Sequence, residues 1–462
     1  MIGAAEEHGH EAAAPADERD GFSLLRQGTL AFTSNAFTLA VTVVTGIMVA
    51  RLLGASGRGE LTAILTVTGV IGYVFTMGCG QAAEFHQARR PEEGGRLIGT
   101  WLMLLVVLGA LSVVVAEVLL PVLLAAQTAA ALHLAQLYVL SAPLLPLSEL
   151  LMGVLLGDQD FTFFNVFRVV QPGATAVLYL AMWLLHAFTL PGALLATLIT
   201  SALGTVVIAL RAVGRHGVSR PSLALARSTL WYGFRAHGNL LASVANLRLD
   251  LFIIPAFLTA SAVGLYAVAT SVSWAVVTVS SNLATVVLAA AARQGVEGSG
   301  TIIRSLQLTV GFALGASLAL ALLADLLLPL VYGNSFKGSS LPLRLLLPGS
   351  ALYASATLLW SGLYAANRPF TAAVSQFAGL AVTTAGLLLF LRSGGIVAAA
   401  LVSTASYSVI FLVALVLYRR VVGIEWSALV PSWKDVAGGG ASALRRAYLR
   451  GRFRAMDWPW RT

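Results

Sequence analysis

Four polar residues in an otherwise apolar segment have the spacing of a single helix face. They stand at positions i, i+4, i+11 and i+15, as Arg235, Asn239, Asn246 and Asp250, and about 3.6 residues per turn places them in a narrow arc. Ionisable side chains are costly in hydrocarbon and normally face a bundle interior or a wet cavity. Because a guanidinium offers paired donors to phosphate and an amide binds hydroxyls, the row predicts a binding surface for a ligand with a phosphate and sugar head.

Further substrate contacts are predicted from helices in both halves of the chain. The first segment has a polar side, the second has an aromatic ring on its polar side, and the eighth has both kinds of residue, which gives the candidates Asn35, Thr38, Tyr73, Trp274 and Ser281. The aromatic rings would stack on a sugar face. Hydroxyl residues alone are equally typical of ordinary helix packing, in which they bond to backbone carbonyls or allow close approach.

Carboxylates within the apolar segments could bind a coupling proton or cation. Glu84 and Asp250 are the candidates for ion coupling, whereas Glu117 and Glu149 are interpreted more simply as neutralised or paired structural groups. No cofactor and no metal site are expected beyond a coupling proton or sodium ion. These carboxylates would therefore couple transport to an ion gradient, and none of them is predicted to be a catalytic residue.

The elements that hold these residues must be membrane-spanning helices. The chain has 58% hydrophobic and 11% charged residues with a mean hydropathy of +0.84, whereas about a quarter of the residues in soluble domains are charged. Apolar runs such as 101–126 exceed the roughly 20 residues that cross a bilayer as a helix, and the alternating pattern of a barrel is absent. We expect an all-α integral membrane protein and a transporter, since no connector is long enough to form a catalytic domain.

We predict about twelve transmembrane helices in two pseudo-symmetric six-helix lobes around a central cavity. Their ranges are 24–53, 59–87, 97–121, 129–156, 161–186, 190–213, 229–257, 261–291, 302–332, 340–365, 370–392 and 395–419. Arg and Lys are more numerous in the connectors on the side of the termini, which predicts that both termini are cytosolic in a bacterial cytoplasmic (inner) membrane. The net charge of +9 then indicates contact with anionic membrane lipids and not with nucleic acid.

The chain divides near its middle. We predict a disordered cytosolic N-terminal tail at 1–21, lobes at 22–213 and 229–421, a cytosolic linker at 214–228, and a basic cytosolic C-terminal tail at 422–462. A shift of 205 positions aligns LTASAVGLYAV (258–268) with LGASGRGELTA (53–63), with matching Leu, Ala, Ser and Gly. Because each half enters the membrane from the same side, this weak repeat implies an axis along the membrane normal and favours alternating access about a central site.

Several segments resemble a known family. They are ARLLGASGRGEL (50–61), NLRLDLFIIPAFLTASAVGLYAVA (246–269), LLPLVYGNSFKGSSLPLRLLLPG (327–349) and LYAANRP (363–369). In this order and spacing they resemble, over residues 22–421, the polysaccharide and O-antigen flippases of the multidrug/oligosaccharidyl-lipid/polysaccharide exporter superfamily. The resemblance implies a V-shaped carrier that moves a polyprenyl-diphosphate-linked oligosaccharide from the cytosolic to the outer leaflet, and that works beside glycosyltransferases and a polysaccharide polymerase.

Two other functions remain open. A multidrug or organic cation antiporter of the same superfamily would be expected to have carboxylates and aromatic residues in its cavity and little arginine. A membrane glycosyltransferase or polymerase could use Asp158-Gln159-Asp160, which has the spacing of a metal-nucleotide-sugar motif. Against this enzyme, Asp160 is well placed to cap the next helix. Lys337 and Lys434 are the only lysines, and neither belongs to a phosphate-binding glycine-rich loop.

Overall fold

The computed structural model describes residues 16–293 and 299–422, and omits the side chains of 16–32, 239–240, 243, 283–304 and 369. The described residues form helices joined by short turns, with two short 3₁₀ helices at Pro91–Glu93 and Asn334–Ser339. The α-helices are α1 Ala16–Val74, α2 Cys79–Arg89, α3 Gly94–Leu123, α4 Ala129–Val139, α5 Leu144–Gly157, α6 Phe161–Leu184, α7 Leu190–His216, α8 Leu223–Phe257, α9 Ala260–Arg293, α10 Ser299–Tyr332, α11 Ser340–Ala365 and α12 Pro369–Val422.

Two helices are far longer than a bilayer is thick, and a glycine divides each of them. α1 has 59 residues and α12 has 54, which at about 1.5 Å per residue is more than twice the roughly 30 Å hydrocarbon core. Gly54 (φ +67°) and Gly395 (φ +55°) interrupt them in the left-handed region, which glycine adopts at little cost because it lacks a Cβ. Each of these helices therefore contains two crossings.

With these divisions, the predicted all-α fold with twelve spans is confirmed. Eight of the helices are long and apolar enough to cross a membrane, counting α1 and α12 once each and α4 with α5 as one. The remaining predicted crossings are α8 and α11, which contain more polar residues. Apolar side chains such as Val106, Leu210 and Leu322 are more than 70% exposed, as expected for residues that face lipid.

The predicted segment boundaries differ from the structure at the ends of the chain and in its middle. α7 continues to His216 and α8 already begins at Leu223, so the connector is 217–222 and not the predicted linker 214–228. α8 begins earlier than predicted because the Ser222 side chain accepts a hydrogen bond from the Leu225 N–H and so caps the helix there. The predicted N-terminal tail is helical from Ala16, while residues 1–15 and 423–462 lie outside the described residues.

The bundle has two ends with different connectors. The arginine end contains the connectors 90–93, 158–160, 217–222 and 366–368, and the glycine end contains the breaks at Gly54 and Gly395. At the glycine end the two halves of the chain are joined by hydrogen bonds from Arg51 Nε to the Val331 carbonyl at 2.7 Å and from Gln127 Nε2 to the Leu258 carbonyl at 2.9 Å. At the glycine end, side chains of the first half therefore bind backbone carbonyls of the second half.

The two halves also meet in a reciprocal contact between α1 and α9. A Cβ on Gly59 of α1 would lie 1.7 Å from the Ala260 carbonyl oxygen, and a Cβ on Gly264 of α9 would lie 1.9 Å from the Ala55 carbonyl oxygen. These two contacts are related by the 205-residue shift that aligns 53–63 with 258–268. The weak repeat thus corresponds to a pair of equivalent helices that meet backbone to backbone, as small residues at four-residue spacing allow.

Candidate functional site

Helix α8 is the element that links the two halves, and its two parts have different neighbours. Its first part packs on the first half, where a Cβ on Gly78 would lie 2.3 Å from the Gly233 carbonyl oxygen. Its second part packs on α12, where Asn246 Nδ2 donates to the Gln376 carbonyl at 2.9 Å. One face of α8 is therefore covered by different helices, or left open, at different depths in the bundle.

The predicted row on α8 is consequently not one continuous open face. Arg235 is exposed, and its guanidinium lies 5.2 Å from the centre of the Trp231 ring. Asn246 and Asp250 are each only 4% exposed, because α9 and α12 cover that part of the face. The Asn239 side chain lies outside the described residues. The expectation of a single cavity wall is thus corrected, and the substrate-binding roles of these residues stay predictions.

Asp250 is held among side chains of the second half. The Tyr266 hydroxyl donates to its carboxylate at 2.7 Å, Ser403 Oγ lies 3.5 Å from the same oxygen, and the Leu251 N–H donates to the other oxygen at 2.7 Å. One turn away, the Asn246 side-chain oxygen is buried and has no hydrogen-bond partner among the described residues. The structure thus brings a carboxylate, an amide oxygen and two hydroxyls into one buried polar cluster, which fits a small ion better than a sugar.

Asn35 and Thr38 are brought together by an arginine that the sequence analysis missed. The Arg168 guanidinium of α6 donates to Asn35 Oδ1, and Thr38 Oγ1 donates to the Arg168 carbonyl at 3.1 Å. Arg168 also lies over the Phe164 ring at 5.3 Å. A guanidinium well inside the apolar segment 161–186 is a signal that could have identified it, since such residues are rarely kept without a partner.

Tyr73 contacts a second residue that the sequence analysis missed. Its ring centre lies 5.1 Å from that of His237, which is 4% exposed on the first part of α8. Near this contact Glu149 packs against α2, because a Cβ on Gly80 would lie 3.1 Å from Glu149 Oε2. Tyr73 thus lies where the first half meets α8, against a residue two positions along the chain from the exposed Arg235.

The remaining predicted residues lie apart from these groups. Trp274 forms an edge-to-face pair with Tyr353 at 5.4 Å, and Ser281 Oγ lies 3.3 Å from Thr357 Oγ1, so both are half-buried between α9 and α11. Glu84 is exposed on α2. The substrate-binding candidates whose side chains the structure describes, together with Glu84, therefore do not converge on one point but form separate groups along the two halves.

The Asp158-Gln159-Asp160 segment is occupied by a network of basic side chains. Asp158 accepts from Gln87 Nε2 at 2.8 Å and lies 2.7 Å from His216 Nε2. Asp160 lies 2.7 Å from Arg211 Nε and 2.8 Å from an Arg215 nitrogen. These contacts join α2, α5, α6 and α7 at the arginine end, so the carboxylates are neutralised by protein groups in place of a metal ion.

Asp160 also caps α6, as the sequence predicts. Its carboxylate accepts from the Phe163 N–H at 3.3 Å. Partial burial acts to raise its pKa, but the Arg211 hydrogen bond, the Phe163 N–H and the charge of Arg215 outweigh that effect, so the pKa of Asp160 lies below its usual value. Among the residues that the structure describes, no group of three or more His, Cys, Asp or Glu side chains could hold a metal ion.

Comparisons with known proteins agree with this architecture. A family model described as a polysaccharide biosynthesis protein matches residues 48–341. A search of individually characterised proteins by sequence finds no significant match.

Solved structures of transporters share the fold. One is described as the lipid II flippase MurJ in an inward closed conformation, with 13% identity, a TM-score of 0.73 and coverage of 93% of this chain and 94% of that one. A second is an inward-facing multidrug resistance MATE family transporter, with 16% identity, a TM-score of 0.65 and coverage of 84% and 94%. A third is a MOP superfamily transporter from Pyrococcus furiosus, with 15% identity, a TM-score of 0.55 and coverage of 88% and 97%.

Proposed function

The chain belongs to the family of polysaccharide biosynthesis proteins whose model matches residues 48–341, and from this membership we propose that it is a flippase for a polyprenyl-diphosphate-linked oligosaccharide. It moves this substrate from the cytosolic to the outer leaflet of the bacterial cytoplasmic membrane, with both termini and the arginine end in the cytosol. The product would serve a surface polysaccharide such as a lipopolysaccharide O-antigen or an exopolysaccharide. The shared fold of a lipid II flippase supports a lipid-linked substrate.

The observation that carries the proposal is the difference between the two ends of the bundle. At the glycine end the halves are in backbone contact at Gly59 and Gly264. Toward the arginine end Arg235 is exposed, although Asp250 on the same face of α8 is buried and α8 also contacts the first half there at Gly78 and Gly233. We infer that the substrate enters at this exposed arginine while the glycine end is closed, as alternating access requires.

Side chains in separate groups on the two halves have the chemistry that the proposed substrate requires. Arg168 and Arg235 supply planar donor pairs that match the oxygens of a diphosphate. Asn35 and Thr38 beside Arg168, and Ser281 in the second half, supply hydrogen-bonding groups for sugar hydroxyls. Tyr73 and Trp274 supply aromatic faces, so the diphosphate and the sugar are each matched by groups of the appropriate chemistry.

Energy for transport would enter through Asp250. Its buried carboxylate is held by hydroxyl and amide groups, and the structure contains no ion pair within 4.0 Å of it among the described residues. Burial without an ion pair favours the uptake of a proton or a cation by this carboxylate, because a charge without a counter-charge is costly away from water. We propose that a proton or sodium ion binds there and biases the packing of α8 against α12. Glu84, which is exposed, is the second candidate from the sequence.

The test is export of glycan by cells that depend on this protein. Arg235→Ala and Asp250→Ala are expected to abolish export while the protein remains in the membrane, the first by removing a phosphate ligand and the second by removing the coupling group. Surface polysaccharide is measured by antibody staining, and protein level by immunoblot of membranes. Lys337→Gln, an exposed cation at the glycine end, is the control and should export normally. Full export by both alanine variants would remove the proposed site.

The multidrug alternative has a different electrostatic requirement. An organic cation would be disfavoured near the guanidinium groups of Arg168 and Arg235, since like charges repel strongly in a site that is shielded from water. Cells that carry the Arg235→Ala and Asp250→Ala variants can therefore be used to decide between the two functions. Loss of surface glycan without a change in sensitivity to cationic dyes supports the flippase, and dye sensitivity with normal glycan supports the antiporter.

A further inference from the structure

A cavity of about 480 Å³ opens at the arginine end, away from the residues proposed to bind the transported substrate. It lies between the end of α2, the start of α3 and the start of α8. The residues whose chemistry distinguishes it are Phe85, Arg89, Arg90, Arg96, Ser222 and Ser228. Neither the proposed transport path nor the buried cluster around Asp250 uses this cavity.

The cavity has an excess of positive charge. Arg90 lies 3.4 Å from Glu93, which is the acidic residue of the lining. Arg89 and Arg96 are exposed, and within the part of the chain that the structure describes neither has a carboxylate within ion-pair distance. Two guanidinium groups that line one cavity without a carboxylate partner form a site for an anion. Their planar sets of N–H donors match phosphate oxygens.

The position of Arg89 is fixed by an aromatic wall. Its guanidinium carbon lies 4.2 Å from the centre of the Phe85 ring, and Phe85 stacks on Tyr232 of α8 with 4.2 Å between ring centres. A cation over an aromatic face is held in place while its N–H groups stay free at the edges. The charge at the cavity is therefore preorganised and does not depend on a freely rotating surface side chain.

The opposite wall is also fixed. The Ser219 N–H donates to the Gly95 carbonyl at 2.9 Å, and the Ser222 N–H donates to Thr100 Oγ1 at 3.0 Å, so the connector 217–222 is attached to α3. Ser222 then caps α8, so the positive end of the dipole of this 35-residue helix lies at the cavity. Hydroxyl groups and a helix start thus add to the arginines as features that favour an anion.

The level of the cavity relative to the membrane indicates which kind of molecule carries the anion. The apolar part of α3 begins at Leu97, directly after Arg96, and arginines at the end of a span lie at the level of lipid headgroups. We propose that this cavity binds the phosphate of a membrane lipid headgroup at the arginine end. The phosphate would come either from an anionic phospholipid or from the diphosphate of a polyprenyl carrier that waits there before transport.

The experiment measures binding without transport, so its outcome is separable from that of the proposed function. The full-length protein in neutral detergent is labelled with a fluorophore and titrated with short-chain phosphatidylglycerol, farnesyl diphosphate and inorganic diphosphate. We expect Arg89→Gln combined with Arg96→Gln to weaken binding of a lipid probe by about tenfold or more, because charge-assisted hydrogen bonds to both guanidinium groups are lost. Arg89→Lys with Arg96→Lys should weaken it less.

The matched control removes two charges from the same end of the bundle. Arg368 and Arg420 are exposed there and lie outside the cavity, so Arg368→Gln with Arg420→Gln should bind like the parent protein. Gel filtration and a thermal melt establish that each variant is folded. If Arg89→Gln with Arg96→Gln weakens the binding of phosphatidylglycerol alone, the cavity is a phospholipid site. If it weakens the binding of farnesyl diphosphate alone, the cavity is a site for the polyprenyl carrier. Equal weakening in both double variants, no weakening in either, or an effect on inorganic diphosphate alone would overturn the proposal.

Discussion

At the scale of single residues, burial separates groups that share a helix face. Arg235 and Asp250 lie on the same side of α8, yet Arg235 is exposed beside Trp231 and Asp250 is enclosed by Tyr266 and Ser403. An exposed guanidinium is free to meet a ligand, whereas an enclosed carboxylate is reached by a proton or a small ion. In the transport cycle that we propose, the two residues would therefore serve different steps, Arg235 in substrate binding and Asp250 in energy coupling.

Asp160 is the residue whose contribution to stability is best defined. Asp160→Ala removes the α6 cap and the contacts to Arg211 and Arg215, and loss of such a cap alone costs about 1 kcal/mol of free energy of unfolding. The melting temperature in detergent should fall measurably. Asp325→Ala is the control, since the pair that Asp325 forms with Arg344 is largely exposed and exposed pairs contribute little.

The pH dependence of this effect follows from the sign of the pKa shift. Because the pKa of Asp160 is lowered in the folded protein, the stabilisation is present above the unfolded value of about 3.9 and is lost as the pH falls through the folded-state pKa. The difference in melting temperature between the parent and Asp160→Ala should shrink in acid. A difference that grows on acidification would contradict the assigned ion pairs.

At the scale of elements, the contact of α1 with α9 decides which end of the bundle is closed. The carbonyl of Ala55 and the N–H of Gly59 approach Gly264 so closely that no side chain fits there. Two helices can pack in this way only when small residues recur one turn apart on both of them. The same pair of helices must separate if the glycine end opens during transport.

A larger side chain at this contact should hold the glycine end open. Gly264→Leu forces α1 and α9 apart, because its Cβ alone would lie 1.9 Å from the Ala55 carbonyl oxygen, and we expect glycan export to fall by about tenfold or more as overpacking disfavours the closed state. In an Ala55→Cys background, a membrane-impermeant maleimide should label the cysteine faster when Gly264→Leu is present.

The control for this experiment is Gly315→Leu in α10, where a Cβ would meet no atom within 4 Å. That variant should export normally and leave the rate of labelling of Ala55→Cys unchanged. Normal export by Gly264→Leu with an unchanged rate of labelling would show that the glycine-end contact is not part of the cycle.

At the scale of the whole molecule, the proposed alternating access requires that the two halves move relative to each other. Gln127 of the first half donates to the Leu258 carbonyl of the second at 2.9 Å, so we choose these two neighbouring positions for a pair of cysteines to be cross-linked by oxidation. Gln127→Cys with Leu258→Cys should lose export on oxidation and regain it with a reductant, because the bond prevents the glycine end from opening. The natural Cys79 is buried and should not react.

Each single cysteine variant serves as a control and should export normally under both conditions. Full export by the oxidised double variant, with the cross-link verified on a gel, would mean that the halves need not separate at this end. The proposed alternating access would then be wrong even if the substrate is correct.

The sequence alone determined the membrane fold, the number of crossings, the repeat and the cap at Asp160. These are local properties, because the length and hydropathy of a segment decide whether it spans a bilayer, and a cap depends on residues a few positions apart. The aligned glycines at 59 and 264 were also visible as part of a repeat, although nothing in the pattern showed that the two repeats touch each other.

Only the tertiary structure decided which polar residues are accessible. Helical periodicity shows which residues share a face, but the cover over that face comes from helices far away in sequence. For this reason the row on α8 is open at Arg235 and buried at Asp250, and Arg168 is found beside Asn35, 133 residues away. The cavity at Arg89 and Arg96 likewise exists only because the start of α8 packs on α2 and α3, a contact between segments that no local pattern encodes.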